Sequence, residues 1–294
     1  MPPTGSVEDS VGDKMRYNHR PMKQQLHLYW FSGSGNSLRA ALAFAQRLRQ
    51  LEWSVELRSL ERSDPQTIDP EAVMGLAFPT HCFSIPEIVL SFVHSLPHVN
   101  GTAAMMLGTH GMFSGGVVGP MKRKLTAKGF RCIAARILSM PDSFFPFLSE
   151  ETHRRQFNRG LDQAERYAED FAAGVACWTR WAVFSDFHGA FFRRLFSTRK
   201  WSRTYYSTVH SRRELCQHCD ACIHCCPVNA LEKEGTSPPR PKKHCMNCLR
   251  CVAVCPADAM RHLIGFRPYR SEEATLLKCR FVQERAFPAC ERSD

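Results

Sequence analysis

The sequence predicts an α/β protein: a doubly wound, five-stranded, mostly parallel sheet followed by a separate cysteine-rich unit. Three observations carry this. Between residues 25 and 177, short apolar runs alternate with amphipathic helical stretches. The first apolar run ends in FSGSGNS (31–37), a glycine–serine loop that leads straight into a helical pattern. Nine of the 14 cysteines crowd into residues 216–255, eight of them in two matching groups. Strands that alternate with helices pair in parallel through right-handed crossovers, and their carboxyl ends form a binding crevice.

The elements follow in order. LHLYWF (26–31) reads as the first strand and Ser37 to Gln50 as its helix. SVELRSL (54–60) alternates like a second strand, and AVMGLAF (72–78) is apolar throughout, as a strand buried on both faces must be. PEIVLSFVHSL (86–96) is helical and TAAMMLGT (102–109) is the fourth strand. A helix from Val118 to Lys128 precedes the fifth strand, CIAARILSM (132–140). A long amphipathic helix spans 149–175.

The loop Ser32-Gly33-Ser34-Gly35-Asn36-Ser37 lacks the lysine of a P-loop and the third glycine of a dinucleotide fingerprint. It offers hydroxyls, one amide and the backbone N–H groups of a helix start. That chemistry suits a terminal monoester phosphate neutralised by the helix N-terminus rather than by a cationic side chain.

The cysteine region repeats one grammar. Cys216-x2-Cys219-x2-Cys222-x3-Cys226-Pro227 recurs as Cys245-x2-Cys248-x2-Cys251-x3-Cys255-Pro256. Three thiolates spaced by two residues wrap three corners of an iron–sulfur cube, and the fourth, before proline, ligates the other cube. Cys216, Cys219, Cys222 and Cys255 then form one ligand set, and Cys245, Cys248, Cys251 and Cys226 the other. Zinc is also a four-thiolate ion, but zinc ribbons draw two ligands from each of two knuckles. Cys225 also completes an x2 spacing from Cys222 and could replace Cys226; the proline favours Cys226. His218 and His224 are read as neighbours, not ligands.

S-G-S-G-N-S resembles the phosphate loop of flavodoxins. With the doubled cysteine motif behind it, the chain resembles the flavodoxin–ferredoxin fusion family over residues 24–266. The resemblance implies FMN, with Ser32, Gly33, Ser34, Gly35, Asn36 and Ser37 around its phosphate. It implies that Thr80, Phe83, Thr109, His110, Gly111 and Phe113, in loops 78–86 and 108–116, flank the isoalloxazine ring. Phe83 can equally plug the core, and an empty flavodoxin fold is the alternative. The C-terminal unit would be a small α+β ferredoxin domain with two 4Fe-4S clusters. The organisation expected is a disordered extension at 1–24, a flavodoxin-like domain at 25–177 and a basic, aromatic connector at 178–210. The ferredoxin domain (211–266) and a tail (267–294) follow.

The implied function is electron transfer between FMN and the clusters, to or from a redox partner protein. A flavin-linked oxidoreductase with its own small-molecule substrate is the alternative, and an iron- or oxygen-sensing module is a weaker one. No acid/base or nucleophile constellation stands out, so no catalytic residue is assigned. The formal charge of +11 permits an anionic partner. An acidic redox partner is expected, with no nucleic acid, since no helix-turn-helix pattern is present. No export signal or membrane span is visible, which implies a cytoplasmic protein and leaves peripheral membrane contact open.

Overall fold

The computed structural model describes residues 24–81, 84–111, 116–143, 149–178 and 209–262. Five parallel strands form the main sheet: β1 (Gln25–Trp30), β2 (Ser54–Ser59), β3 (Val73–Pro79), β4 (Ala103–His110) and β5 (Arg131–Ser139). Their spatial order is β2-β1-β3-β4-β5, all neighbours parallel. That is the flavodoxin-like order of a doubly wound sheet. The intervening helices are α1 (Asn36–Gln50), α2 (Glu87–Ser95), α3 (Val118–Ala127) and α4 (Glu150–Ala172).

Period-two side-chain alternation divides the strands between two core layers. Leu26, Leu28 and Trp30 of β1 face α1 and α4, where they meet Phe44, Tyr167 and Phe171. Tyr29 and Phe31 face the opposite layer, with Phe92 of α2 and Met121 of α3. The Tyr167 hydroxyl donates to the Met106 carbonyl at 3.0 Å, which satisfies a polar tip that the core would otherwise strand. Ser149 caps α4 by accepting from the Thr152 N–H at 3.3 Å.

The strand and helix limits fall within a few residues of the expected ones. Phe31 was expected in the first strand; its N–H still donates to the Ala77 carbonyl at 2.9 Å as the chain turns into the loop. Phe83 and Phe113 lie outside the described residues, as do most of the connector, the N-terminal extension and the tail.

The C-terminal unit is built from short pieces. β6 (His210–Ser211) pairs antiparallel with β9 (Met260–Arg261), and β7 (Leu231–Glu232) with β8 (Arg240–Pro241). Two helical turns, α5 (Ala221–His224) and α6 (Arg250–Val254), complete it. Its core includes Val209, Leu231, Val252 and Met260, together with Cys222, Cys251 and Cys255 of the repeats and the neighbouring Cys225. Among the described residues, no helix is long and apolar enough to cross a membrane.

Candidate functional site

The cysteine repeat is also a backbone repeat. His218, Asp220 and Asn229 adopt left-handed backbone, and Asn247, Leu249 and Asp258 do so at the corresponding positions of the second half. They are six of the seven non-glycine residues with positive φ among those described. Such conformations cost about 1–3 kcal/mol each and persist where surroundings over-determine them, commonly at functional sites. Here they curl each C-x2-C-x2-C run around a hollow. Past each fourth cysteine an amide turns back onto sulfur: Ala230 N–H to Cys226 Sγ at 3.1 Å, Ala259 N–H to Cys255 Sγ at 3.2 Å.

Two pockets result. One is lined by Cys216, Cys219, Cys222 and Cys255. The other is lined by Cys245, Cys248, Cys251 and Cys226. The structure therefore brings the eight cysteines together in two sets of four, with the fourth member crossing between halves. Among the described residues, no group of three or more His, Cys, Asp or Glu side chains closes on a single ion. The hollows carry sulfur on several walls and leave room between.

The electrostatics of the two sets agree with a need for positive charge inside. Burial, with the neighbouring Cys255 and Cys219 thiols, pushes Cys222 up to about 12. Burial pushes Cys248 up to about 11, opposed by the Arg250 guanidinium. Cys251 lies well above its ordinary value for the same first cause, burial. Four thiolates gathered round one hollow repel one another unless cations sit among them. The donor set fits an iron–sulfur cube in each pocket. Cys225 is buried but donates to the Cys222 carbonyl at 3.4 Å, and it lines neither pocket.

The glycine–serine loop lies at the carboxyl edge of the sheet, between β1 and α1. Gly35 occupies the N-cap position with φ 102°, left-handed backbone that glycine adopts without a Cβ penalty. No side chain caps α1 and no acidic residue stands in its first turn. The helix start thus presents N–H groups with no side-chain acceptor over them. Ser32 Oγ accepts from the Gly35 N–H at 3.0 Å, and Ser37 Oγ hydrogen-bonds with Thr109 Oγ1 at 2.7 Å. Asn36 Nδ2 donates to the Pro141 carbonyl at 2.9 Å, while its Oδ1 is buried with no hydrogen-bond partner. Ser143 Oγ donates to Ser34 Oγ. A donor-rich, uncapped helix start with hydroxyls at its rim fits a phosphate monoester, and the orphaned Asn36 Oδ1 fits a hydroxyl donor beside it.

The neighbouring loops converge here. Thr80 N–H donates to the Thr109 carbonyl at 2.7 Å, tying the β3 and β4 ends together. His110 ends β4, its pKa lowered chiefly by burial. Gly111 lies so close to Asp142 that an added Cβ would fall 2.2 Å from Oδ2. His81 packs edge-on to Phe31, ring centroids 6.1 Å apart, and burial lowers it to about 4, so it is neutral at pH 7.

The two sites touch. A Cβ on Gly33 would lie 2.0 Å from the Cys248 carbonyl oxygen. Met246 and Cys248 pack against the α2/α3 core layer. Arg250, 8% exposed, donates from Nη1 to Glu61 Oε2 at 2.7 Å and from Nη2 to Glu61 Oε1. It also donates from Nη2 to the Ser32 carbonyl at 2.9 Å, and its guanidinium lies 5.5 Å from the Phe31 ring centroid. Sequence reasoning missed Arg250 and Glu61. The available signal was a cation inside a cysteine run where the first half has Ala221; its partner, 189 residues away, left none. Pro141 and Ser143, after β5, were missed too, because no loop motif marks them.

Residues 208–259 match the family described as 4Fe-4S dicluster domain. No curated protein matches the chain. Among solved structures, the chain is similar to a flavodoxin of Streptococcus pneumonia TIGR4. The identity is 20% over 51% of this chain and 99% of that one, with a TM-score of 0.39. It is similar to Megasphaera elsdenii flavodoxin at 17% identity over 49% of this chain and 98% of that one, TM-score 0.36. It is also similar to the rubredoxin oxygen:oxidoreductase of Desulfovibrio gigas at 16% identity, TM-score 0.41. That match covers 52% of this chain and 36% of the oxidoreductase.

Proposed function

We propose that this chain, a flavodoxin-like domain joined to a dicluster ferredoxin domain, is an iron–sulfur flavoprotein that carries electrons between FMN and two 4Fe-4S clusters. The dicluster match at 208–259 and the flavodoxin-like strand order before it fit such a fusion. The observation that carries the reading is the contact between the two sites. One complete four-cysteine pocket abuts the glycine–serine loop through Cys248 and Gly33. A flavin exchanges electrons singly or in pairs, and each cluster one at a time, so a chain holding both interconverts the two currencies.

In this reading the residues of the chain position and tune. Ser32 to Ser37 and the first N–H groups of α1 hold the FMN phosphate. Thr80, Thr109, His110 and Gly111 border the ring, with His110 and His81 neutral at pH 7. Cys216, Cys219, Cys222 and Cys255 hold one cluster; Cys245, Cys248, Cys251 and Cys226 hold the other. The Ala230 and Ala259 N–H groups donate to ligand sulfurs, which favours added electron density there. An acidic face of a soluble redox partner in the cytoplasm is the complement that a chain of net charge +11 attracts.

The test is turnover in the absence of any partner protein. Anaerobically purified protein is expected to be reduced and reoxidised by one-electron carriers but to show no sustained turnover of quinones, nitro compounds or free flavins. Sustained turnover of such a substrate would replace the carrier reading with an oxidoreductase.

A further inference from the structure

The two cysteine halves share their spacing, left-handed backbone positions and amide-to-sulfur bonds, and one of the positions where they differ sets a cation inside the fold. Where the first half begins its helical turn with Ala221, the second has Arg250. Arg250 is not a surface cation: it is buried, and its side-chain contacts tie the second half to the flavodoxin-like domain and to the first cysteine half. Nη1 reaches the Cys225 carbonyl at 3.3 Å as well as Glu61, and Nη2 reaches the Ser32 carbonyl. The guanidinium is thus held between Cys248 and Cys251 in sequence and against the glycine–serine loop in space. The counterpart of Cys248 in the first half, Cys219, is exposed.

We propose that Arg250 is a positioning and tuning residue: it fixes the Cys226/Cys245/Cys248/Cys251 site against the flavodoxin-like domain and makes it the more readily reduced of the two. Electrons would then cross the domain boundary through this site, and the Cys216/Cys219/Cys222/Cys255 site, whose Cys219 is exposed, would face the partner. The inference rests on the electron-carrier reading above. Each transfer moves one electron from reduced flavin to the oxidised iron–sulfur site, or back, and makes or breaks no bond.

The physical argument is one of charge placement. An added electron makes the thiolate-bound site more negative, and a buried cation beside it lowers the energy of that reduced form. Burial keeps the interaction from being screened by solvent and salt. Glu61, on the turn after β2, offsets part of this, while the same guanidinium also reaches the Cys225 carbonyl of the cysteine unit. In the first half the nearby ion pair is Asp220 with Lys233, on a partly exposed surface, and Ala221 places no charge at the corresponding point.

A redox titration of the full-length protein, purified anaerobically and followed by electron paramagnetic resonance, tests this. In R250Q, one of the two cluster midpoints is expected to move to lower potential while the other stays. In E61Q the same midpoint is expected to rise, because the offsetting charge is gone, and R250K is expected to restore most of the wild-type value. An R250Q protein that does not fold leaves the E61Q and R250K signs to decide. Unmoved midpoints, equal movement of both, or movement in the same direction in R250Q and E61Q would overturn the proposal. Iron without acid-labile sulfide in the wild-type protein would overturn the carrier reading itself. Metal analysis before any titration separates that failure from the failure of the Arg250 role.

Discussion

Gly33 has no room for a side chain, and the reason is not the phosphate. The ferredoxin-type unit fills the space where a Cβ would point, with the Cys248 carbonyl oxygen 2.0 Å from it. A backbone oxygen cannot swing away as a flexible side chain can. Gly33→Ala is therefore expected to cost about 1–3 kcal/mol, the usual range for overpacking, read as a lower thermal midpoint. An unchanged midpoint would mean that the contact gives way freely. The cysteines allow a sharper residue-scale test. With crossed ligands, Cys255→Ser should cost the same cluster as Cys219→Ser, and Cys226→Ser the other. Loss of the same cluster in Cys226→Ser and Cys219→Ser would show uncrossed ligation. The cysteine pattern was legible because its chemistry is local: identical ligand spacing demands identical loop geometry. Arg250 was not, since a buried ion pair between residues 189 apart leaves no local period to read.

At the scale of elements, the sheet was legible because its strands are apolar enough to state which faces they bury. β3 and β4 are almost wholly buried, and β1 divides its side chains between two core layers. Element ends were less legible, because side-chain patterning fades where loops take over hydrogen bonding. The fold also encloses, wholly or in part, several histidines on strands, helices and loops. Burial lowers His81 to about 4, and burial is likewise the main cause at His27, His110, His153 and His262. These are depressed values, so the unfolded chain binds more protons than the folded one between about pH 4 and 6.5. The histidine contribution to stability is complete above about pH 6.5 and is lost as pH falls towards 4. His81 alone adds a slope of at most about 1.4 kcal/mol per pH unit. Thermal melts across this range are expected to show a shallower slope for His81→Gln than for wild type. Equal slopes would mean that His81 titrates normally in the folded protein.

The whole molecule is organised around one edge of the sheet. The glycine–serine loop, the ends of β3 and β4, Pro141 and Ser143 after β5, and Glu61 after β2 all lie there, and the second cysteine half docks onto them. The sequence announced both halves of this arrangement but not the docking, which depends on buried surfaces meeting rather than on any motif. It also announced a basic chain. Association with an acidic redox partner is accordingly expected to weaken as salt rises, chiefly through slower encounter, and binding kinetics indifferent to ionic strength would contradict that.

In the proposed reading, one chain holds a flavin and two iron–sulfur clusters, with the flavin loop against one cluster site. Anaerobic purification with iron, acid-labile sulfide and flavin quantification tests it most directly. About eight irons, matching sulfide and about one FMN per chain are expected. Zinc in place of iron, or iron and sulfide without flavin, would contradict it.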